Sequence, residues 1–494
     1  MRFVERHALW GAAQHEAGAH AQGLIAEHKI ELVRFAFADQ HGVLRGKTLT
    51  AAAALDAMYA GVPMVSTLLL KDTAHRTAFK IFDAGQDAIA KTFEGAADVM
   101  MVADPTTFKV LPWAERTAWV QCQAYFADGT PVPLDTRGLL MRVLDGLRAR
   151  GWRFKSGIEV EFYIYRLLDP QLDPRQVMWP PLPPRVEMVH PGYNVLTEQM
   201  MDLTDAPLRI VQRTAQALGL PLRSLEIELG PSQVEAVFEP LEGTASADLM
   251  VLFRSAVKQS LRRAGYHATF MCRPPFESII GSGWHLHQSL LDPQGRNLFA
   301  RDAAAGPAAP DHAQAYLSTV GAQYLAGLLQ HAPAMAALAT PTINGYSRYQ
   351  PNALAPCSVI WGRDNRGALL RVVGSGQAND SATRIENRMG EPLANPYLYM
   401  ASQIIAGLDG IDRGLKAPPA CNTPYANNAA TVPANLAAAL NAVADDQVLR
   451  AGLGDLFVDY FCHIKRQELA RNAQALHDGV QQTEWEAREY FSLY

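Results

Sequence analysis

Four segments of the 494-residue chain place ionisable side chains at every second position. In GIEVEFYIY, Glu159 and Glu161 alternate with Ile158, Val160 and Phe162. In SLEIELGPSQVEAVF, Glu226 and Glu228 precede a Gly-Pro turn and Glu235. In GSGWHLHQSL, His285, His287 and Ser289 alternate with Trp284 and Leu286, and in TRIENR, Arg384, Glu386 and Arg388 flank Ile385. Successive side chains of a strand point to opposite faces, so each segment predicts a strand with one ionisable face and one apolar face. A solvated strand face usually mixes Lys, Thr, Ser and Gln, whereas these are almost purely Glu, His or Arg. Facing glutamates repel unless a cation neutralises them. Carboxylates with one imidazole suit Mg²⁺ or Mn²⁺ better than Zn²⁺, which favours Cys and His. The arginines are natural partners for phosphate and carboxylate oxygens. Metal, phosphate and carboxylate in one basin point to phosphoryl transfer to an acid.

The length exceeds one ordinary core and predicts two or more domains. Apolar residues make up 49% and charged residues 19%, a globular composition. The formal charge of −5 is spread along the chain without a basic block, which argues against a nucleic-acid or anionic-membrane partner. Five scattered cysteines (Cys122, Cys272, Cys357, Cys421, Cys462) form no CxxC pair and fit reduced thiols in a cytoplasmic protein. The start, MRFVERHALW, carries charges where a signal peptide needs apolar residues, and no run approaches a membrane span. A soluble intracellular protein is expected.

Residues 1–28 read as helical, followed by two strands in ELVRFAFAD and HGVLRGKTL joined by a Gly turn, and a short helix ending at Gly61. DVMMVADPTTFKVLPW closes a small α+β unit, with a boundary expected near residue 115: an N-terminal domain over 1–115 and a larger one over 116–494. Helices are expected over 139–151, from Ala206 through APLRIVQRTAQALGL, over SADLMVLFRSAVKQSLRRAG, and from about residue 433 onward. Residues 180–191 and 302–310 read as surface loops, and there is no internal repeat.

GIEVEF, GPSQVE, GSGWHLHQSL, NGYSRY…AP, NRGALLR, RIENR and ANPYLYMASQIIAGLDGI occur in one order, and with them the chain resembles the glutamine synthetase superfamily over nearly its whole length. The resemblance implies an α+β fold: an N-terminal β-grasp domain, to which FADQHGVLRGK also matches, and a catalytic domain with a curved antiparallel sheet surrounded by helices. It implies two or three Mg²⁺ (or Mn²⁺) ions and ATP. Glu161, Glu228 and Glu235 would hold one metal, and Glu159, His285 and Glu386 a second that bridges the nucleotide phosphates. His287 would lie near the transferred phosphate, with Ser289 also on the ATP side. Arg371 and Arg384 would contact ATP phosphates, and Arg366 would stabilise the phosphoryl group in flight. Arg348 and Arg388 would clamp the carboxylates of a glutamate-like substrate, with Gly281 beside its amino end. His287, Arg366 and Glu386 are the expected catalytic residues. The family's reaction phosphorylates the γ-carboxylate of glutamate and displaces the phosphate with an amine. Its members assemble as rings, typically two stacked hexamers, with active sites shared between subunits. Glu226 matches no metal position and reads as supporting or surface; Trp284 and Phe162 read as core. Asp98 and Asp104 read either as an acidic segment near a neighbouring subunit or as turn and cap residues.

Three departures bear on the amine. The family glutamate that closes over ammonium is replaced by Leu354 in RYQPNALAP. The F-D-G-S-like stretch reads PMVSTLL, without aspartate, and the Asn before Gly-Ser-Gly is Ile280. A buried ammonium would lack counter-charges. The reading is therefore an ATP-dependent γ-glutamyl-amine ligase, of the γ-glutamylanilide and γ-glutamylpolyamine synthetase-like branch. An apolar or aromatic amine such as aniline is favoured and Leu354 is placed in the amine pocket. A polyamine or ethanolamine ligase, an ammonia-using glutamine synthetase and a catalytically silent relative stay open. Tyr425 is a weak match to the family's adenylylated tyrosine.

Overall fold

In the computed structural model, the described residues are 1–83, 85, 87–169, 177–302, 308–350 and 355–494. Leu354 and part of the 302–310 loop lie outside them.

The first sheet has five strands: β1 (Leu32–Ala38), β2 (Leu44–Thr50), β3 (Val62–Val65), β4 (Asp98–Val110) and β5 (Thr117–Tyr125), in the order β2-β1-β5-β4-β3. β1 and β5 are parallel at its centre, and the other pairs are antiparallel. The two strands and Gly turn expected after Glu31 are β1 and β2, with Gly42 at φ +72°. The helix Ala51–Ala60 ends where the Gly61 amide donates to the Ala57 carbonyl. The sheet runs past the boundary expected at residue 115, because β5 fills the centre between β1 and β4. That pairing joins residues far apart in sequence, so local pattern does not reveal it.

The second sheet contains β6 (Arg153–Leu167), β7 (Val186–Met188), β8 (Leu222–Ile227), β9 (Gln233–Phe238), β10 (Leu241–Glu242), β11 (Tyr266–Thr269), β12 (Trp284–Leu291), β13 (Trp361–Arg363), β14 (Leu370–Val373) and β15 (Arg384–Gly390). Its main path is β13-β14-β15-β12-β6-β9-β8, antiparallel except for the parallel β13–β14 pair. The long strand β6 pairs with β12 and β10 near its start, with β9 in the middle and with β11 and β7 near its end, so the sheet curves along it. β7 lies within the stretch expected to be loop.

The apolar face of β6 packs outward against helices. Phe162 stacks on Phe270 and meets Phe253, on the helix Ala245–Arg263, edge-on. Trp284 meets Tyr399, on the helix Pro396–Asp412, edge-on. Both aromatics are fully buried, as core residues should be. The helix expected from Ala206 begins instead at Glu198 and carries Pro207 inside it. Pro207 reads as an N-terminal position because proline donates no amide hydrogen bond. Burial of Met200, Thr204, Leu208 and Val211 along one face holds the helix through that gap. The N-terminal helical stretch is broken, with Phe3–Arg6 and Ala12–Glu27 helical.

Arg137, on the helix Thr136–Ala149, ties the first sheet to the helix Ala245–Arg263. Its guanidinium contacts Asp104 of β4 at 2.8 Å and Asp248 at 2.9 Å, all largely buried. Asp104 is thus committed to an internal ion pair, whereas Asp98 is exposed.

Candidate active site

Strand register gathers the alternating residues on one face of the second sheet. Glu159 of β6 stands opposite His285 of β12, and Glu161 stands opposite Glu235 of β9. Glu386 of β15 stands opposite His287 on one side and Arg371 of β14 on the other. Directly opposed residues share a face, so five strands pour their polar side chains into one basin.

His285 is at its centre. Its Nδ1 lies 3.6 Å from Glu159 Oε2, 3.9 Å from Glu235 Oε1 and 3.9 Å from Glu386 Oε1, and its Nε2 lies 3.9 Å from Glu161 Oε1. These separations are too long for hydrogen bonds and match donors arranged around a shared ion. Among the described residues, two groups have ligand atoms within 4.8 Å of one another: Glu159, His285 and Glu386, and Glu161, Glu235 and His285. The first is the expected second-metal set. In the other, His285 stands where Glu228 was expected. Glu228 follows the last residue of β8, where pairing with β9 ends, and accepts the Leu229 amide at 3.2 Å.

The electrostatics divide the basin into carboxyls pushed up and carboxyls held down. Burial, and then the charge of Glu228, push Glu161 up to about 7. Burial followed by the charges of Glu161 and Glu159 pushes Glu235 up to about 10, and burial also raises Glu228. Glu386 is held down at about 2: burial opposes ionisation, but His285, His287, Arg388 and Arg371 outweigh it. Glu159 is likewise held below the usual carboxylate range, because contacts with His285 and His287 overcome its burial. Burial and Arg388 lower His285 to about 4, which leaves its ring a lone pair at neutral pH. Glu235 Oε1 is buried without a hydrogen-bond partner among the described residues. A basin of oxygens, one neutral imidazole and an orphaned carboxylate oxygen fits a hard divalent cation.

Cationic groups line the opposite end. Arg371 Nη1 donates to Glu386 Oε2 at 3.0 Å and its Nε to Asp364 at 3.0 Å. Arg388 Nη1 donates to Glu386 Oε1 at 2.5 Å. Arg384 Nε donates to His287 Nδ1 at 3.0 Å, so the ring proton sits on Nε2, which faces Glu159 Oε1 at 3.0 Å. Arg366 is exposed in the turn between β13 and β14, and Ser289 is buried on the His287 face of β12. Arg348, buried, donates from Nη1 to the carbonyls of Met389 (2.8 Å) and Gly390 (3.0 Å). Its Nε, like that of Arg388, has no partner among the described residues, which leaves donors for a substrate carboxylate. A Cβ at Gly281 would lie 2.7 Å from Arg348 Cβ, and one at Gly283 2.6 Å from Arg348 Nη2, so both glycines are required by close approach.

Gln233 was not anticipated. Its Nε2 donates to Glu161 Oε2 (3.0 Å) and Ser282 Oγ (2.9 Å), and its Oε1 accepts from Gly230, which fixes the glutamate's rotamer. Its signal was present in GPSQVE, where Gln233 and Glu235 share a strand face. Glu226 was set aside on sequence, yet it stands directly opposite Glu235 and shares the basin face.

Residues 133–490 match the glutamine synthetase catalytic-domain family. This chain belongs to the glutamine synthetase family, whose members are carbon–nitrogen ligases. It is 39% identical to γ-glutamylanilide synthase from an Acinetobacter species, over 99% of each chain. It is 31% identical to a γ-glutamylethanolamide synthetase from Streptomyces coelicolor, over 95% of this chain and 94% of that one. The solved structure of apo GmaS superposes with a TM-score of 0.74 at 27% identity, covering 94% of this chain and 98% of that one. No helix among the described residues is long and apolar enough to cross a membrane.

Proposed function

We propose that the protein is an ATP-dependent γ-glutamyl-amine ligase that joins the γ-carboxylate of glutamate to an amine other than ammonia. One observation carries the chemistry: a single strand face grades from Arg371 and Arg384 at β14–β15 to Glu161 and Glu235 at β6–β9, with His285 between. Arg348 and Arg388 hold the glutamate carboxylates, and Gly281 and Gly283 let it lie against the strand. Arg371 and Arg384 bind the nucleotide phosphates. Arg366 meets the phosphoryl group as it passes to the γ-carboxylate. A divalent cation bound by Glu159, His285 and Glu386, or by Glu161, Glu235 and His285 with Glu228 beside them, supplies charge neutralisation and Lewis acidity when present. His287, its proton fixed on Nε2 by Arg384, donates toward the transferred phosphate. The amine nitrogen then attacks the acyl carbon, the C–O bond to phosphate breaks, and the amide remains.

The named relatives act on anilide and ethanolamide chemistry, and PMVSTLL carries no aspartate for ammonium. Ring assembly with shared sites is part of the same reading. It is supported by the exposed edge that β3 leaves on the first sheet and by Asp98 opposite Val65 there. ADP release measured with glutamate and ammonia, ethylamine, putrescine or aniline tests the reading. Release with an organic amine above that with ammonia is expected; ammonia as the best substrate, or no release with any, contradicts it.

A further inference from the structure

Register orders the charges of the basin. Arg371, Glu386 and His287 form one row across β14, β15 and β12. Glu161, Glu235 and Glu226 form another across β6, β9 and β8. The guanidinium groups of Arg371, Arg384 and Arg388 all belong to β14 and β15, whereas the β9–β8 end holds Glu226, Glu228 and Glu235. Glu235 is 7% exposed and its Oε1 has no hydrogen-bond partner among the described residues, so this end presents an unsatisfied acceptor as well as carboxylates. Glu226 is half-buried, with Oε1 accepting from Ser224 Oγ at 2.8 Å, and it belongs to neither group of clustered metal donors. Beside it, the Leu196 amide donates to Ile227 at 3.0 Å and the Tyr193 amide to Leu229 at 2.8 Å. Leu196 (64% exposed) and Leu229 (40% exposed) thereby adjoin the β8 edge as apolar surface.

We propose that Glu226 is a specificity-determining residue that receives the amine nitrogen, selecting a primary amine with an apolar substituent. This rests on the ligase reading above. As the nitrogen lone pair forms the N–C bond and the C–O pair departs with phosphate, positive charge grows on nitrogen and negative charge on the leaving oxygen. The sheet carries arginines at the end that receives phosphate and carboxylates at the other. Glu161 and Glu235 would hold the cation together with His285, and Glu228 lies beside them, which leaves Glu226 to accept the N–H at the half-open β8 edge. The surplus N–H proton leaves to water at that edge, and Leu196 and Leu229 take the substituent. The amine side therefore keeps a carboxylate although PMVSTLL has lost one.

Glu226→Gln keeps side-chain size and an acceptor for Ser224. The full-length enzyme, saturated with ATP, Mg²⁺ and glutamate, is titrated with aniline, isopropylamine and ethanolamine. Losing one charge-assisted hydrogen bond lowers kcat/KM for the amine about tenfold to hundredfold. KM for glutamate and the Mg²⁺-induced rise in melting temperature stay at wild-type values. Glu226→Asp, which keeps the charge, retains more activity than Glu226→Gln. Unchanged amine kinetics, the reverse order of the two variants, or loss of the Mg²⁺ shift in Glu226→Gln overturns the assignment. Wild-type protein that turns over none of the amines overturns the ligase reading and this inference together, whereas unaltered variant kinetics overturn the inference alone.

Discussion

In protein freed of divalent metal, raising the pH from about 6.5 to about 8 is expected to lower stability relative to the Mg²⁺-saturated protein. Burial and neighbouring carboxylates raise Glu161 from an ordinary 4.5 to about 7. A carboxyl whose folded-state pKa is raised leaves stability intact below its unfolded pKa and loses it as the pH climbs through the folded value. For Glu161 that window runs from about 4.5 to about 7. Below pH 6.5 the gain from His285, lowered to about 4, opposes this loss; from about 6.5 to about 8, at 1.36 kcal/mol per pH unit, Glu161 and Glu235 together cost about 3 kcal/mol. An unfolding entropy near 2.1 cal/mol/K per residue makes this roughly a 3 °C fall in melting temperature for a chain of this length. Glu235, raised to about 10, extends the decline above neutrality. Glu235→Gln removes part of the repulsion. It should therefore melt higher than wild type without metal at about pH 8 and gain less from Mg²⁺. Differential scanning fluorimetry across this pH range, with EDTA or with excess Mg²⁺, reads both effects. A metal-free melting temperature that does not fall relative to the Mg²⁺-loaded protein, or a Gln variant with the full Mg²⁺ gain, refutes the reasoning.

Glu161→Ala should reduce ADP release about a hundredfold to a thousandfold, on the order expected for a lost transition-state group, with the assembly state unchanged by gel filtration. Gly283→Ala sets a methyl 2.6 Å from Arg348 Nη2 and 3.1 Å from His285 Nε2, so KM for glutamate should rise in initial-rate measurements. Arg137→Ala leaves Asp104 and Asp248 without their shared cation. Breaking such a buried pair costs about 3 kcal/mol, readable in urea unfolding, and Arg137→Lys should recover part of it.

The local chemistry of the site was legible because a strand's period of two is written in sequence. Glu159, Glu161, His285, His287, Arg384, Glu386 and Arg388 all sit on strands facing one way, as their alternation predicts. What alternation cannot give is which strand lies beside which. The regrouping of Glu161 and Glu235 with His285, the place of Glu226 opposite Glu235, and the entry of β5 into the first sheet are all matters of register between distant segments. Gln233 illustrates a different limit: its importance lies in a hydrogen bond to Glu161 that only the folded turn creates. Asp104 was readable either as a subunit-facing acid or as a turn residue, and Arg137, a helical residue more than thirty positions on, decides for an internal pair.

Isotope transfer tests the ligase reading most directly. Glutamate labelled with ¹⁸O in its γ-carboxylate is incubated with ATP, Mg²⁺ and aniline or ethanolamine, and inorganic phosphate and amide are analysed by mass spectrometry. Activation through the γ-carboxylate puts one label into the released phosphate and keeps the other in the amide carbonyl. Amide formed with the second label lost to water and the phosphate free of label, or phosphate released while the glutamate stays unreacted, would contradict it.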